Sequence, residues 1–138
     1  MDLPPFVDAN IFVRHVAGDE PTQSSLATAF FARFERGEPF VRTADTVIFE
    51  TVYVLERFYH VSREDIRDAL MPLLALPGIR LPGKSSFRGV FALYVARRSL
   101  SFADCYHAVL MRRLDLSEII SFDQGFDRLP GINRREPS

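Results

Sequence analysis

Two spacings of apolar residues alternate along this chain: short continuous runs, and longer stretches that repeat at helical three-and-four intervals. The first run, residues 5–7, predicts a short strand. Residues 11–16 predict a helical turn or short helix, closed by Gly18-Asp19-Glu20-Pro21. A helix over 22–36 follows, with Gly37 as its stop signal. Residues 40–42 read as a short strand or a plain connection. The stretch 45–59 is helical and apolar nearly all round, which predicts burial. Ser62-Arg63-Glu64-Asp65 carries the serine-then-acid pattern of a helix start. That helix should run to Leu76, with Pro72 kinking it or ending its regular part. Pro77-Gly78 turns into a strand at 79–81. Ser85 or Ser86 opens a helix to Arg98, and Ser101 caps another to about Leu114. Residues 118–122 read as a buried parallel strand, 124–129 as a short helix, and Pro130-Gly131 as a turn into a last strand near Ile132-Asn133. Strands joined by helices predict an α/β fold, a parallel sheet with helices on both faces.

Four acids break the apolar pattern. Asp8 stands in Phe6-Val7-Asp8-Ala9-Asn10-Ile11-Phe12, and Glu50 in Val47-Ile48-Phe49-Glu50-Thr51-Val52-Tyr53-Val54-Leu55. Asp104 lies in Phe102-Ala103-Asp104-Cys105-Tyr106, and Asp123 closes Ile119-Ile120-Ser121-Phe122. A carboxylate buried in such surroundings is costly unless its charge is compensated. Four alike suggest one shared compensator, a divalent cation held by oxygen ligands. Asp8 and Asp123 end strands, where open α/β sheets place ligands. Asp127, four residues after Asp123, would join from the same side. Mg²⁺ or Mn²⁺ prefers such donors, and a hard cation among carboxylates suits phosphoryl chemistry.

Each acid also has a structural reading. Asp8 would cap the turn after the first strand, and Glu50 would pair with an arginine such as Arg57. Asp104 would complete a capping box with Ser101, Asp123 would cap the helix from Gln124, and Asp127 would be a solvated helix residue. Asn10 would tie the loop after Asp8, and Ser121 would orient Asp123 or a cation-bound water. Thr51 reads as bonding back to its own helix. His107, one turn after Asp104, reads as a partly exposed helix residue ahead of a substrate contact.

Composition narrows the field. A chain of 138 residues suits one domain and can bury roughly 68% of its unfolded surface. Cys105 is the lone cysteine, which fits a reducing, cytoplasmic setting. The start Met1-Asp2-Leu3-Pro4-Pro5 has no secretory pattern, and no apolar run approaches a membrane span, so the chain reads as soluble. His15, His60 and His107 are scattered, which argues against zinc. The net charge of −1 says little about partners. All of the 17 basic residues but Lys84 are arginine, with pairs at Arg97-Arg98, Arg112-Arg113 and Arg134-Arg135. Arginine suits phosphate binding, although it also simply decorates solvated helix faces.

Taken together, the four acidic segments, the last extended to Ser121-Phe122-Asp123-Gln124-Gly125-Phe126-Asp127, resemble the successive motifs of PIN-domain ribonucleases, and among them the VapC toxins of bacterial toxin–antitoxin pairs. The resemblance covers about 6–132. It implies a three-layer α/β/α fold with a central parallel sheet of four to five strands, built as a single domain over 1–138. It implies a Mg²⁺- or Mn²⁺-dependent endoribonuclease that cleaves RNA phosphodiesters by metal-activated water. By motif position Asp8, Glu50, Asp104 and Asp123 match the acidic quartet, Glu50 directly or through water, and Asp127 matches an additional acid of some members. Ser121 stands where threonine is frequent. The implied partners are RNA, a cognate antitoxin, and a second copy in a homodimer or a toxin–antitoxin hetero-oligomer. A response-regulator receiver would need a late lysine, but Lys84 precedes Asp104. A hydrolase with an aspartate nucleophile would need an acid at Asn10. The rival from another class is a catalytically idle PIN-like module that binds RNA or protein.

Overall fold

Pro5, Phe6 and Val7 extend alongside a strand far along the chain, and this pairing sets the first ladder. Phe6 pairs in parallel with Arg42. Val7 N donates to Arg42 O at 2.8 Å, and Arg42 N to Pro5 O at 2.9 Å. Strand β1 (Val41–Arg42) then pairs in parallel with β2 (Ile79–Arg80), Val41 opposite Ile79. The pleat separates two faces. Val7, Val41 and Ile79 point inward, while Phe6, Arg42 and Arg80 face solvent. The structure is a computed structural model that describes residues 3–138. It divides into two units, one ending at Ser85 and the other spanning Ser86–Ser138.

The first unit carries helices α1 (Ala9–Ala17), α2 (Pro21–Ala32), α3 (Asp45–Arg57) and α4 (Arg63–Leu74). Helix α1 packs on the other three. Its Phe12 is fully buried, with its ring centroid 5.0 Å from that of Phe31 on α2. Helix α2 stops at Ala32, short of the predicted Arg36. Arg33 N and Phe34 N each reach back only three residues, to Phe30 O and Phe31 O, which tightens the last turn. Phe34 is thereby buried, and its carbonyl accepts from Gly78 N at 3.0 Å. Any Cβ at position 78 would stand 2.7 Å from Phe34 Cβ, so only glycine admits this approach. A tertiary contact overrides the local stop signal.

Helix α3 corrects the expectation of burial all round. Val47, Ile48, Thr51, Val52 and Leu55 form one buried face, while Tyr53 is 56% exposed, and so is Phe58 just beyond, at 69%. Ser62 caps α4 as predicted, its side chain accepting from Asp65 N. Pro72 sits in the last turn, where it has no N–H to donate to the carbonyl four residues back, and the helix ends two residues later.

The second unit holds α5 (Phe87–Ala96), α6 (Phe102–Arg113), β3 (Glu118–Ile120) and β4 (Asn133–Arg135). Helices α5 and α6 join through aromatic rings: Phe91 and Tyr94 lie 5.0 and 5.3 Å from Phe102, close enough for favourable edge contacts. Strands β3 and β4 are parallel, Ile119 opposite Arg134. The buried strand expected at 118–122 is shorter and more open, with Ile120 59% and Phe122 73% exposed. The helix expected at 124–129 is a 3-10 segment, Gln124–Arg128. Every described strand pairing is parallel, the polarity the pattern predicts. Among the described residues no helix is long and apolar enough to cross a membrane.

Candidate functional site

The acids do not lie where apolar sequence context suggested. Asp8, Glu50, Asp123 and Asp127 are exposed, and Asp104 is half-buried. The physical reason is direction. Side chains one position apart on a helix or strand point to different faces, so a carboxylate can stand among apolar neighbours in sequence and reach water in space. These carboxylates therefore need no shared cation to offset burial, and only their donor chemistry points to one.

Asp8 follows the extended segment 5–7 and is the N-cap of α1, with extended backbone (φ −89°, ψ 167°), yet its side chain makes no capping hydrogen bond. The carboxylate is held instead through the backbone before it. Val7 N donates to Arg42 O, and Val7 O accepts from the buried Thr43 hydroxyl at 2.9 Å. Thr43 was missed in the sequence; the signal was a small polar residue directly after a short strand. Asn10 lies exposed in the first turn of α1 and lines a cleft of about 410 Å³ with Ile11, Arg14 and residues of α2. Glu50 occupies the exposed face of α3 with Thr46, Tyr53 and Arg57. Arg57, its suggested partner, holds its guanidinium over the Tyr53 ring at 5.9 Å. Thr51 donates to Val47 O at 2.8 Å, as expected.

The acids of the second unit are engaged locally. Asp104 completes the capping box: Asp104 N donates to Ser101 Oγ at 3.1 Å, and Ser101 N donates to Asp104 Oδ2 at 3.3 Å. Asp123 caps the 3-10 segment, its Oδ1 accepting from Gly125 N at 2.9 Å. Ser121 acts on the backbone of Asp123, its hydroxyl accepting from Asp123 N at 3.0 Å. Both oxygens of Asp127 accept from Arg134, at 2.8 and 3.2 Å. Those hydrogen bonds hold the Asp127 carboxyl below its ordinary range. Arg134 entered the sequence reading only within the Arg134-Arg135 pair, as a candidate for phosphate binding or a solvated residue, and its tie to Asp127 was missed. His107 is exposed on α6. Among the described residues, neither unit gathers three or more His, Cys, Asp or Glu side chains into a group that would hold a metal ion.

Taken one by one, the acids offer the carboxylate oxygens that a hard divalent cation prefers, and Asp8 keeps its carboxylate free of its own helix. Cys105, the lone cysteine, is buried and offers no open soft ligand.

Comparison with known proteins adds an independent line. The model of the PIN domain family matches residues 6–132. The chain is 27% identical over 123 residues to a VapC ribonuclease of Aquifex aeolicus, covering 89% of this chain and 90% of that one. It is 27% identical over 130 residues to ribonuclease VapC13 of Mycobacterium tuberculosis, covering 93% and 96%. Among solved structures, Mycobacterium tuberculosis VapC20, a Sarcin-Ricin loop cleaving toxin, matches 86% of this chain and 89% of its own with a TM-score of 0.41 at 18% identity. A likeness that loose decides nothing about the fold.

Proposed function

This chain belongs to the PIN domain family, and from that premise we propose that it is a metal-dependent endoribonuclease, the toxin of a toxin–antitoxin pair. The observation that carries the reading is the family match over 6–132, a span that contains Asp8, Glu50, Asp104 and Asp123. Relatives of nearly equal length named as ribonucleases support it. The fold that goes with this reading is one PIN domain over 1–138, an α/β/α sandwich around a parallel sheet of four to five strands. The partners are RNA, an antitoxin protein and a second copy of the chain, and the setting is cytoplasmic.

Asp8, Glu50, Asp104 and Asp123 would hold Mg²⁺ or Mn²⁺, Glu50 directly or through water. When bound, the cation supplies charge to the scissile phosphate and lowers the pKa of water. The chain's own part is positioning. Thr43 and Arg42 fix the backbone ahead of Asp8. The Ser101 box fixes Asp104 at the start of α6. Ser121 and Gly125 fix Asp123. Asp127 would have to leave Arg134 to serve as a ligand. Arginines would bind the RNA backbone that the acids repel, so cleavage should weaken as salt rises.

The test is cleavage of RNA by the purified chain with Mn²⁺, with chelator, and with Asp8→Asn and Asp104→Asn. Loss of turnover in all three controls is the expected outcome; full turnover in both variants refutes the assignment. The rival idle binding module draws support from the local engagement of Asp104 and Asp123, and it predicts RNA binding with no Mn²⁺ uptake.

A further inference from the structure

Arg134 makes hydrogen bonds to two residues of the second unit, and it encloses the loop that carries Asp123. It projects from β4 with only 13% of its side chain exposed. Its Nε and Nη2 donate to the two oxygens of Asp127, and its Nη1 donates to Ser121 O at 2.9 Å. Glu136 approaches the same guanidinium at 3.7 Å. One planar cation thus ties the residue two before Asp123 to the residue four after it. Inside this span Asp123 is pinned twice more, by Ser121 Oγ on its N–H and by Gly125 N on its Oδ1. A Cβ on Gly125 would meet Asp123 Oδ1 and Leu100 Cδ2, each at 3.0 Å. The loop is closed around one carboxylate.

We propose that Arg134 is a positioning residue for Asp123, and that Asp127 serves as the carboxylate anchor of Arg134 instead of as a cation ligand. The proposal rests on the metal-dependent reading above for its consequence, and on hydrogen-bond geometry for its structure. Arginine is required because a fork of donors is needed to reach a carboxylate and a carbonyl together, which a lysine ammonium cannot span. Arg134→Gln and Arg134→Lys should both release the loop. Asp127→Asn should leave Arg134 tied to Ser121 and to the amide oxygen of the new side chain, and Asp123 in place.

Two measurements on the full chain decide it. The first needs no metal: hydrogen exchange of the Gly125 amide, followed by NMR. Exchange should quicken about tenfold in Arg134→Gln and Arg134→Lys, with α6 amides unchanged, and less than about twofold in Asp127→Asn, in line with one to two lost hydrogen bonds. Unchanged Gly125 exchange in both Arg134 variants overturns the proposal. The second is Mn²⁺ titration by calorimetry. Affinity should fall at least about tenfold in Arg134→Gln, as for loss of a group that orients a ligand, and stay within about twofold in Asp127→Asn. Loss of Mn²⁺ in Asp127→Asn equal to that in Asp123→Asn makes Asp127 a ligand and overturns the proposal. Should the native chain take up no Mn²⁺, the metal reading fails, and Gly125 exchange alone decides whether Arg134 locks the loop.

Discussion

The two units hold their acids in opposite ways. In the first, Asp8 starts a helix without capping it and Glu50 stands on an exposed helix face. In the second, Asp104 completes a capping box, Asp123 accepts from Gly125, and Asp127 grips Arg134. An acid that its own fold does not use is open to a ligand. An acid that its fold does use serves structure first, and any chemistry would draw on an already fixed carboxylate. Substitution therefore separates the units: the first should lose function without stability, and the second should lose both.

The largest effect is expected at Asp8. Asp8→Asn should lower metal-dependent RNA cleavage by more than about 100-fold, beyond what a partner of a ligand costs, with a melting temperature equal to that of the native chain. Turnover and a thermal melt on the same preparation check it; a marked fall in melting temperature would erase the contrast between the units. Gly125→Ala comes next. The new methyl would press on Asp123 Oδ1 and Leu100 Cδ2 at 3.0 Å, which should cost roughly 1–3 kcal/mol and reduce cleavage together. Denaturant unfolding beside the activity assay tests whether both fall.

Asp104→Ala sharpens the contrast at lower amplitude. Loss of its acceptor for Ser101 N should cost roughly 0.5–1 kcal/mol and abolish cleavage, whereas Asp8→Ala should stay within about 0.5 kcal/mol of native. Equal destabilisation by the two alanines would show that the cap at Asp104 contributes nothing.

Much of this arrangement was legible because local chemistry wrote it. Ser101 with Asp104, Ser62 with Asp65, and Thr51 with Val47 are bonds between residues three or four apart, and the sequence places such partners in view. The polarity of the ladders was legible from the alternation of apolar runs. What was hidden arises over long sequence separations. Gly78 stops α2 by receiving Phe34, Thr43 holds Val7, and Arg134 spans Ser121 and Asp127. The exposure of the acids was hidden for another reason: apolar neighbours in sequence need not be apolar surroundings in space. On α3 the buried Thr51 and the exposed Glu50 are adjacent residues.

The smallest expected effect concerns pH, and it asks which unit loosens first. His15 on α1 contacts Thr28 Oγ1 at 2.8 Å and meets the edge of Phe31 at 5.2 Å. Burial lowers its pKa below the ordinary 6.5. The unfolded chain therefore takes up the proton first, and this contribution to stability is lost as pH falls below 6.5 toward the depressed folded value. For Asp127, hydrogen bonds from Arg134 lower the carboxyl below 3.8, so the pair keeps its contribution above 3.8 and loses it only as pH falls through the lowered value. Between about pH 7 and about pH 5, the range in which histidine titrates, the α1–α2 amides should lose protection relative to their intrinsic exchange rate at each pH, while Gly125 keeps its own. His15→Gln should remove the first response and leave the second intact. Earlier opening at Gly125 than along α2 would reverse the order, and with it the view that the second unit's acids are the ones its own fold holds in place.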